Sequence, residues 1–174
     1  MAFSGNALCH SFKKELLEGV HNFKASGGNT FKLALFTNSQ AGNDSLGGSS
    51  SDMDETITAY NTGGTSSNEI SNTGNYAQGG GTLTSIDPSL KSTSTATTQF
   101  ANLEFGGGGN VVTLTARGAL IYNDSASGDP AVCVLDFGAD KSASSGTFTV
   151  IFPTNDASSA LITVSYTHLT LPTT

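Results

Sequence analysis

The chain has 174 residues and a mass of 17.7 kDa, which suits one domain. Only 12 % of the residues are charged, while Ser, Thr, Gly and Asn supply 80 of them, so the chain is polar without being charged; it has neither the high net charge of typical disordered chains nor the Ala, Glu, Lys, Leu and Arg of a long coiled coil. Seven Lys+Arg against fourteen Asp+Glu give a net charge of -7, and only Lys13, Lys14 and Lys24 lie near one another, so neither a nucleic-acid nor an anionic-membrane partner is expected.

The first element is a helix. In LCHSFKKELLEGVHNFK, Leu8, Phe12, Leu16, Val20 and Phe23 recur at steps of four and three, with Leu17 beside them. Asn6 or Ser4 can cap its start, Gly27-Gly28 end the segment, and Lys13, Lys14, Glu15 and Glu18 form its wet face. Residues 1–28 are therefore read as helix and cap. The apolar stripe packs on something, either the domain's own sheet or another subunit. Those five side chains are the candidate interface.

From residue 29 the period changes to two. Residues 31–37 read as a strand covered on both faces. The polar stretch 38–54 reads as a mobile surface loop. Strands are then expected at 55–60, 81–86 and 99–105, where the four glycines from Gly106 to Gly109 break the chain. More follow at 111–116, 118–122, 131–137, 147–152 and 158–162, separated by turn-rich links. This predicts a mainly β domain over 29–162, an antiparallel β-sandwich or open barrel of jelly-roll or Ig-like kind, with the helix at its front.

Residues 163–174 do not fit what precedes them. Their back-translation resembles the mosaic-end adapter of transposase-made sequencing libraries, so they are read as translated adapter and not as native protein, with a real extra strand as the alternative. On that reading Tyr166 and His168 carry no function. No apolar run of roughly 18 residues is present to span a bilayer, and the first residues lack the basic start of a secretory signal.

Catalytic templates fail on residue supply. Outside the tail the histidines are His10 and His21, about 16 Å apart if helical, and both are expected to be exposed or at helix ends. Glu69, Asp87, Glu104, Asp136 and Asp140 offer carboxylates, but spacing selects no pair and there is no Trp to line a sugar cleft. The acids Asp44, Asp52, Asp54 and Glu55 could hold Ca2+ but lack the EF-hand pattern, so a solvated loop is favoured. Gly79-Gly80-Gly81 and the later glycine run read as turns, not phosphate cradles. Cys9 and Cys133 read as buried small side chains in a reducing compartment. Arg117, the only arginine, is expected to form a structural ion pair with an acid such as Asp136 or Asp140. No enzyme, cofactor or metal is expected.

Three runs carry a resemblance. They are Gly5-Asn6-Ala7-Leu8-Cys9 with Phe12-Lys13 and His21-Asn22-Phe23; Asn29-Thr30-Phe31-Lys32-Leu33-Ala34-Leu35; and Thr115-Ala116-Arg117-Gly118-Ala119-Leu120-Ile121-Tyr122-Asn123 with Ala131-Val132-Cys133-Val134-Leu135-Asp136-Phe137-Gly138. Over residues 1–162 the chain resembles small virion structural proteins of tailed bacteriophages from marine and environmental sources. The resemblance implies a capsid decoration, neck, tail or fibre component, made in the host cytoplasm and held in the virion by other virion proteins. The expected state is a homo-oligomer. The alternative is a receptor- or carbohydrate-binding β domain, meeting a host-surface receptor through loops 38–54, 62–75 and 123–130, with Tyr60, Tyr76 and Tyr122 as stacking platforms.

Overall fold

Two stretches of chain, residues 95–123 and 131–165, run antiparallel beside each other along most of their length in the computed structural model, which describes residue 3 and residues 5–38, 53–61 and 68–165. Their first pairing is β5 (Thr95–Phe100) with β10 (Ile162–Ser165), the second β6 (Leu103–Phe105) with β9 (Phe148–Val150), and the third β7 (Val112–Asn123) with β8 (Ala131–Gly146). The result is one long ribbon folded at two corners. The second corner is made of glycine: Gly106 has φ +90°, and a Cβ there would lie 2.8 Å from the Gly146 carbonyl oxygen. Only glycine allows both the sign of φ and the approach of the two backbones.

The remaining elements complete three sheets. β1 (Ala7–Leu8), β2 (Phe31–Phe36) and β3 (Gly81–Leu83) join β7 and β8 in a five-stranded sheet of order β1-β8-β7-β2-β3. β4 (Ser85–Leu90) joins β5 and β10 in a second sheet, and β6 with β9 forms a third. All pairings between strands are antiparallel. Among the described residues the protein is mainly β with one short helix, as the alternation of apolar residues predicts. Ile86 is followed by a register shift in β4, where Pro88 interrupts the donors of an edge strand.

β2 is buried on both faces, as its unbroken apolar run requires. On one face Phe31 stacks in parallel on Phe23 at 4.5 Å and meets Phe100 of β5 at 5.5 Å, while Phe12 of the helix meets Phe23 edge-on at 6.1 Å. The other face carries Tyr122, the cross-strand partner of Lys32, which stacks on Tyr60 at 4.2 Å. Met53, Ile57 and Phe3 are also fully buried. Segments without regular strands cover that second face.

The helix is shorter than its apolar pattern. α1 spans His10–Leu17, eight residues, and stops at Gly19 instead of Gly27-Gly28. Gly19 has φ +72°, its N–H donates to the Leu16 carbonyl, and the Val20 N–H donates to that of Glu15. Those two bonds are a Schellman ending, which needs a left-handed residue at this place. Val20 and Phe23 keep the helical spacing beyond the end of the helix, and of the two only Phe23 is in the core. Cys9 is the N-cap and makes no side-chain cap bond, whereas Asn6 accepts the Asp136 N–H through Oδ1 at 2.7 Å. Ser4 lies outside the described residues.

Other boundaries move too. Residues 55–60 form no strand, only a bridge between Ala59 and Pro130. The expected strands at 81–86 and 99–105 each split in two, and those at 111–116 and 118–122 merge into β7. β8 runs through Gly138, where a link was expected, because a bulge there keeps the ribbon paired. Met53, expected on a mobile loop, is in the core; residues 39–52 of that loop lie outside the described residues. Thr163, Val164 and Ser165 pair with β5, and the rest of the suspected adapter is not described. Backbone pairing along an open edge makes no demand on side-chain identity, so it is compatible with either origin of the tail.

Two substitutions test this packing. Phe12→Ala empties a fully buried site and should lower unfolding stability by about 3–5 kcal/mol in a denaturant titration. Gly19→Ala meets no neighbouring atom but must hold a left-handed backbone, and should cost about 1 kcal/mol in the same measurement.

Candidate functional site

The densest polar constellation is buried on the second face of β2. Residues 68–70 run beside the end of β2: the Thr37 N–H donates to the Asn68 carbonyl and the Ile70 N–H to that of Leu35, both at 2.8 Å. β3 pairs only with residues 31–33, so the edge of β2 has a gap between the two segments. The Tyr76 hydroxyl fills it, accepting the Leu35 N–H at 2.9 Å.

Glu69 stands at the centre, 5 % exposed. Its Oε1 accepts the Tyr76 hydroxyl at 2.9 Å and the Gly79 N–H at 2.6 Å, and its Oε2 accepts the Tyr60 hydroxyl at 2.7 Å. The Tyr122 hydroxyl donates to the Gly79 carbonyl at 2.7 Å, closing the network. Burial raises the Glu69 carboxyl above its ordinary value although three donors face it. Burial likewise pushes the Tyr60, Tyr76 and Tyr122 hydroxyls above the ordinary tyrosine range. The arrangement works as a clamp. It ties residues 53–61 and 68–80 to β2 and β7. Within the receptor- or carbohydrate-binding alternative, the sequence offers these tyrosines as stacking platforms, and spacing selects no pair among Glu69 and the four other acids. All three tyrosines are buried and so offer no ring to a ligand at the surface.

The histidines do not share a helix face. His10 is exposed at the start of α1, whereas His21, expected to be exposed or at a helix end, lies beyond the helix with its ring buried against Phe12 at 5.0 Å. Asn123 Nδ2 donates to its Nδ1 at 3.2 Å, and its Nε2 donates to Glu15 Oε2 at 3.0 Å. Asn123 Oδ1 accepts the Ser125 N–H, which sets the orientation of the amide and with it the tautomer of the imidazole.

The other charged residues serve the scaffold. Arg117 Nε donates to Asp136 Oδ1 at 2.9 Å, the Gly138 N–H donates to the same oxygen, and Arg117 holds the Asp136 carboxyl below its ordinary value. Asp87 and Asp54 accept backbone N–H groups of Ala25 and Thr56. Asp44 and Asp52 lie outside the described residues, among which no group of His, Cys, Asp and Glu is placed to hold a metal ion. Cys9 and Cys133 are buried and free, and burial pushes the Cys9 thiol up to about 12.

The candidate interface stripe divides. Phe12 and Phe23 are inside the chain's own core and face no partner; Leu8, Leu16 and Val20 are half-buried. Leu17, beside the stripe, is 91 % exposed. Its neighbour in sequence, Leu16, lines a cleft of about 470 Å³ between the end of α1 and the second sheet, together with Phe23, Pro88, Ala96, Ile162 and Val164. Leu90, Ala96 and Val164 are cross-strand neighbours in one row over three strands, and Leu90 is 76 % exposed. A second cleft of about 440 Å³ runs between Phe137 and Ile151, the latter 74 % exposed.

Because folding raises the affinity of Glu69 for its proton, its contribution to stability is full below the ordinary glutamate range and is lost as pH climbs through the folded-state value. Asp136 acts in the opposite sense, its contribution being lost as pH falls. Urea titrations from about pH 4 to pH 8 should show that Glu69→Gln flattens the decline on the rising side. Tyr76→Phe should cost about 1–3 kcal/mol at every pH, because the Leu35 N–H loses its partner. No known protein family, curated protein or solved structure matches the chain.

Proposed function

We propose that this protein is a structural component of a tailed-phage virion, acting through protein–protein assembly and not through catalysis. The observation that carries this reading is the distribution of apolar surface. Two exposed leucines adjoin residues that line an apolar cleft, Leu17 following Leu16 in α1 and Leu90 pairing across the strands with Ala96, and both lie within the part of the chain that resembles virion proteins. Exposed apolar side chains gathered at a concave site are characteristic of association surfaces. The polar chemistry supports the same reading, because its strongest groups are spent inside the scaffold: Glu69 on tyrosines, Arg117 on Asp136, His21 on Asn123. A neutral Ser, Thr, Gly and Asn surface then leaves recognition to shape and apolar contact. Partners are other virion proteins and copies of the chain itself.

Two measurements test the proposal. Mass spectrometry of purified particles from the encoding phage should find the chain in stoichiometric amount, and its absence from them would sink the reading. Leu17→Asp and Leu90→Asp together should block incorporation while leaving the melting temperature of the purified protein nearly unchanged, since exposed positions rarely shift stability by more than about 0.5 kcal/mol. Specific retention on a glycan array, lost when loop 123–130 is changed, would favour the receptor-binding alternative instead.

A further inference from the structure

Two aspartates in this chain are followed directly by proline, Asp87 before Pro88 and Asp129 before Pro130. Such a bond is open to attack by its own side chain. The aspartic carboxyl reaches the main-chain carbonyl carbon in a five-membered ring, and the tertiary nitrogen of proline takes up a proton and leaves as an amine. Reactions within one residue of this kind gain greatly when the groups are held in place.

The fold treats the two bonds differently. Asp87 lies in an extended strand, and its Oδ1 accepts the Ala25 N–H at 2.7 Å, which holds the carboxylate away from its own main-chain carbonyl. Asp129 closes the turn between β7 and β8 with φ +49°, whereas a following proline presses the residue before it toward the extended region. The Tyr60 N–H donates to the Asp129 carbonyl oxygen at 2.8 Å. That oxygen carries the charge when its carbon becomes tetrahedral, so a backbone donor already stands where an oxyanion needs one. Among the described residues the Asp129 carboxyl makes no hydrogen bond or ion pair. Its charged neighbours are Asp124 and Lys32, themselves paired at 3.0 Å. Burial first and Asp124 second raise the Asp129 carboxyl above its ordinary value, with Lys32 opposing them, so the acid form persists to milder pH.

We propose that Asp129 cleaves its own peptide bond to Pro130 in the folded protein under mild acid, making this turn a self-processing site. A side-chain oxygen of the un-ionised carboxyl bonds to the Asp129 carbonyl carbon. The bond from that carbon to the Pro130 nitrogen breaks, and the carboxyl proton passes to the departing nitrogen. The cyclic anhydride left on Asp129 is opened by one water, giving a C-terminal aspartate and an N-terminal proline. The two pieces stay together, because β7 and β8 remain paired from Gly118 and Asp136 to Ile121 and Cys133.

The second aspartate–proline bond serves as an internal control. Purified full-length protein is held at the lowest pH, near about pH 4, at which circular dichroism still shows the native β spectrum, with a parallel sample in urea. Intact mass and a denaturing gel should show fragments 1–129 and 130–174, together one water heavier than the chain. They should accumulate on the order of tenfold faster than the fragments from cleavage after Asp87. In urea the preference should vanish. Asp129→Asn, a residue that tolerates positive φ, should abolish this cleavage alone, and Asp87→Asn should leave it intact. Equal rates at the two bonds in the folded chain, faster cleavage after Asp129 in urea, or persistence of the fragments in Asp129→Asn would each overturn the proposal.

Discussion

Covering both faces of β2 is the constraint on which the rest of this structure depends. Phe31, Leu33 and Leu35 alternate with Ala34 and Phe36, and all five are fully buried. Each large apolar side chain removed from water contributes roughly 1.5–3 kcal/mol, so neither face can be left open. The ordinary solution is a second regular layer on each side. This chain has one such layer to give: the folded ribbon brings Phe100 over the first face, with α1 and the segment after it supplying Phe12 and Phe23. For the second face it uses irregular backbone.

Irregular backbone against a sheet brings a difficulty of its own, because its N–H and C=O groups have no ladder to satisfy them. The Glu69 clamp answers it. One carboxylate accepts three donors, one hydroxyl completes the ladder of β2 at Leu35, and another secures the Gly79 carbonyl. A carboxyl so placed pays a desolvation penalty, which appears as its raised proton affinity. Replacing that network with apolar groups would leave the loop backbone unsatisfied, so the clamp belongs to the fold even though it resembles an active site in its density of polar groups.

The same economy shapes the surface. With most of its described aromatic groups and Glu69 committed to the interior, the chain presents small neutral residues and scattered charges outside, interrupted by a few apolar ones near α1 and the second sheet. Edge strands are left in place and blunted: β4 carries Pro88 and a register shift, and the outer half of β8 carries Asp140 and Lys141. Blunted edges discourage indiscriminate strand addition.

Strand periodicity, the apolar run of β2, the pairing of Arg117 with an acid and the scarcity of chemistry-bearing residues are properties of local sequence, and each was legible there. The end of α1 was legible as well, at Gly19, but the continuing spacing of Val20 and Phe23 masked it. Of the two, only Phe23 enters the core, and it does so from chain that is no longer helical. What no local pattern carried was the burial of Glu69, Tyr60, Tyr76, Tyr122 and His21. A tyrosine in a Gly- and Asn-rich stretch has the same neighbours in sequence whether it faces water or closes a gap in a sheet 41 residues away. Composition and alternation therefore decided that this would be a mainly β chain. Only the folded backbone, by leaving the Leu35 N–H unpaired at the edge of β2 and irregular segments against its second face, decided which polar side chains had to go inside.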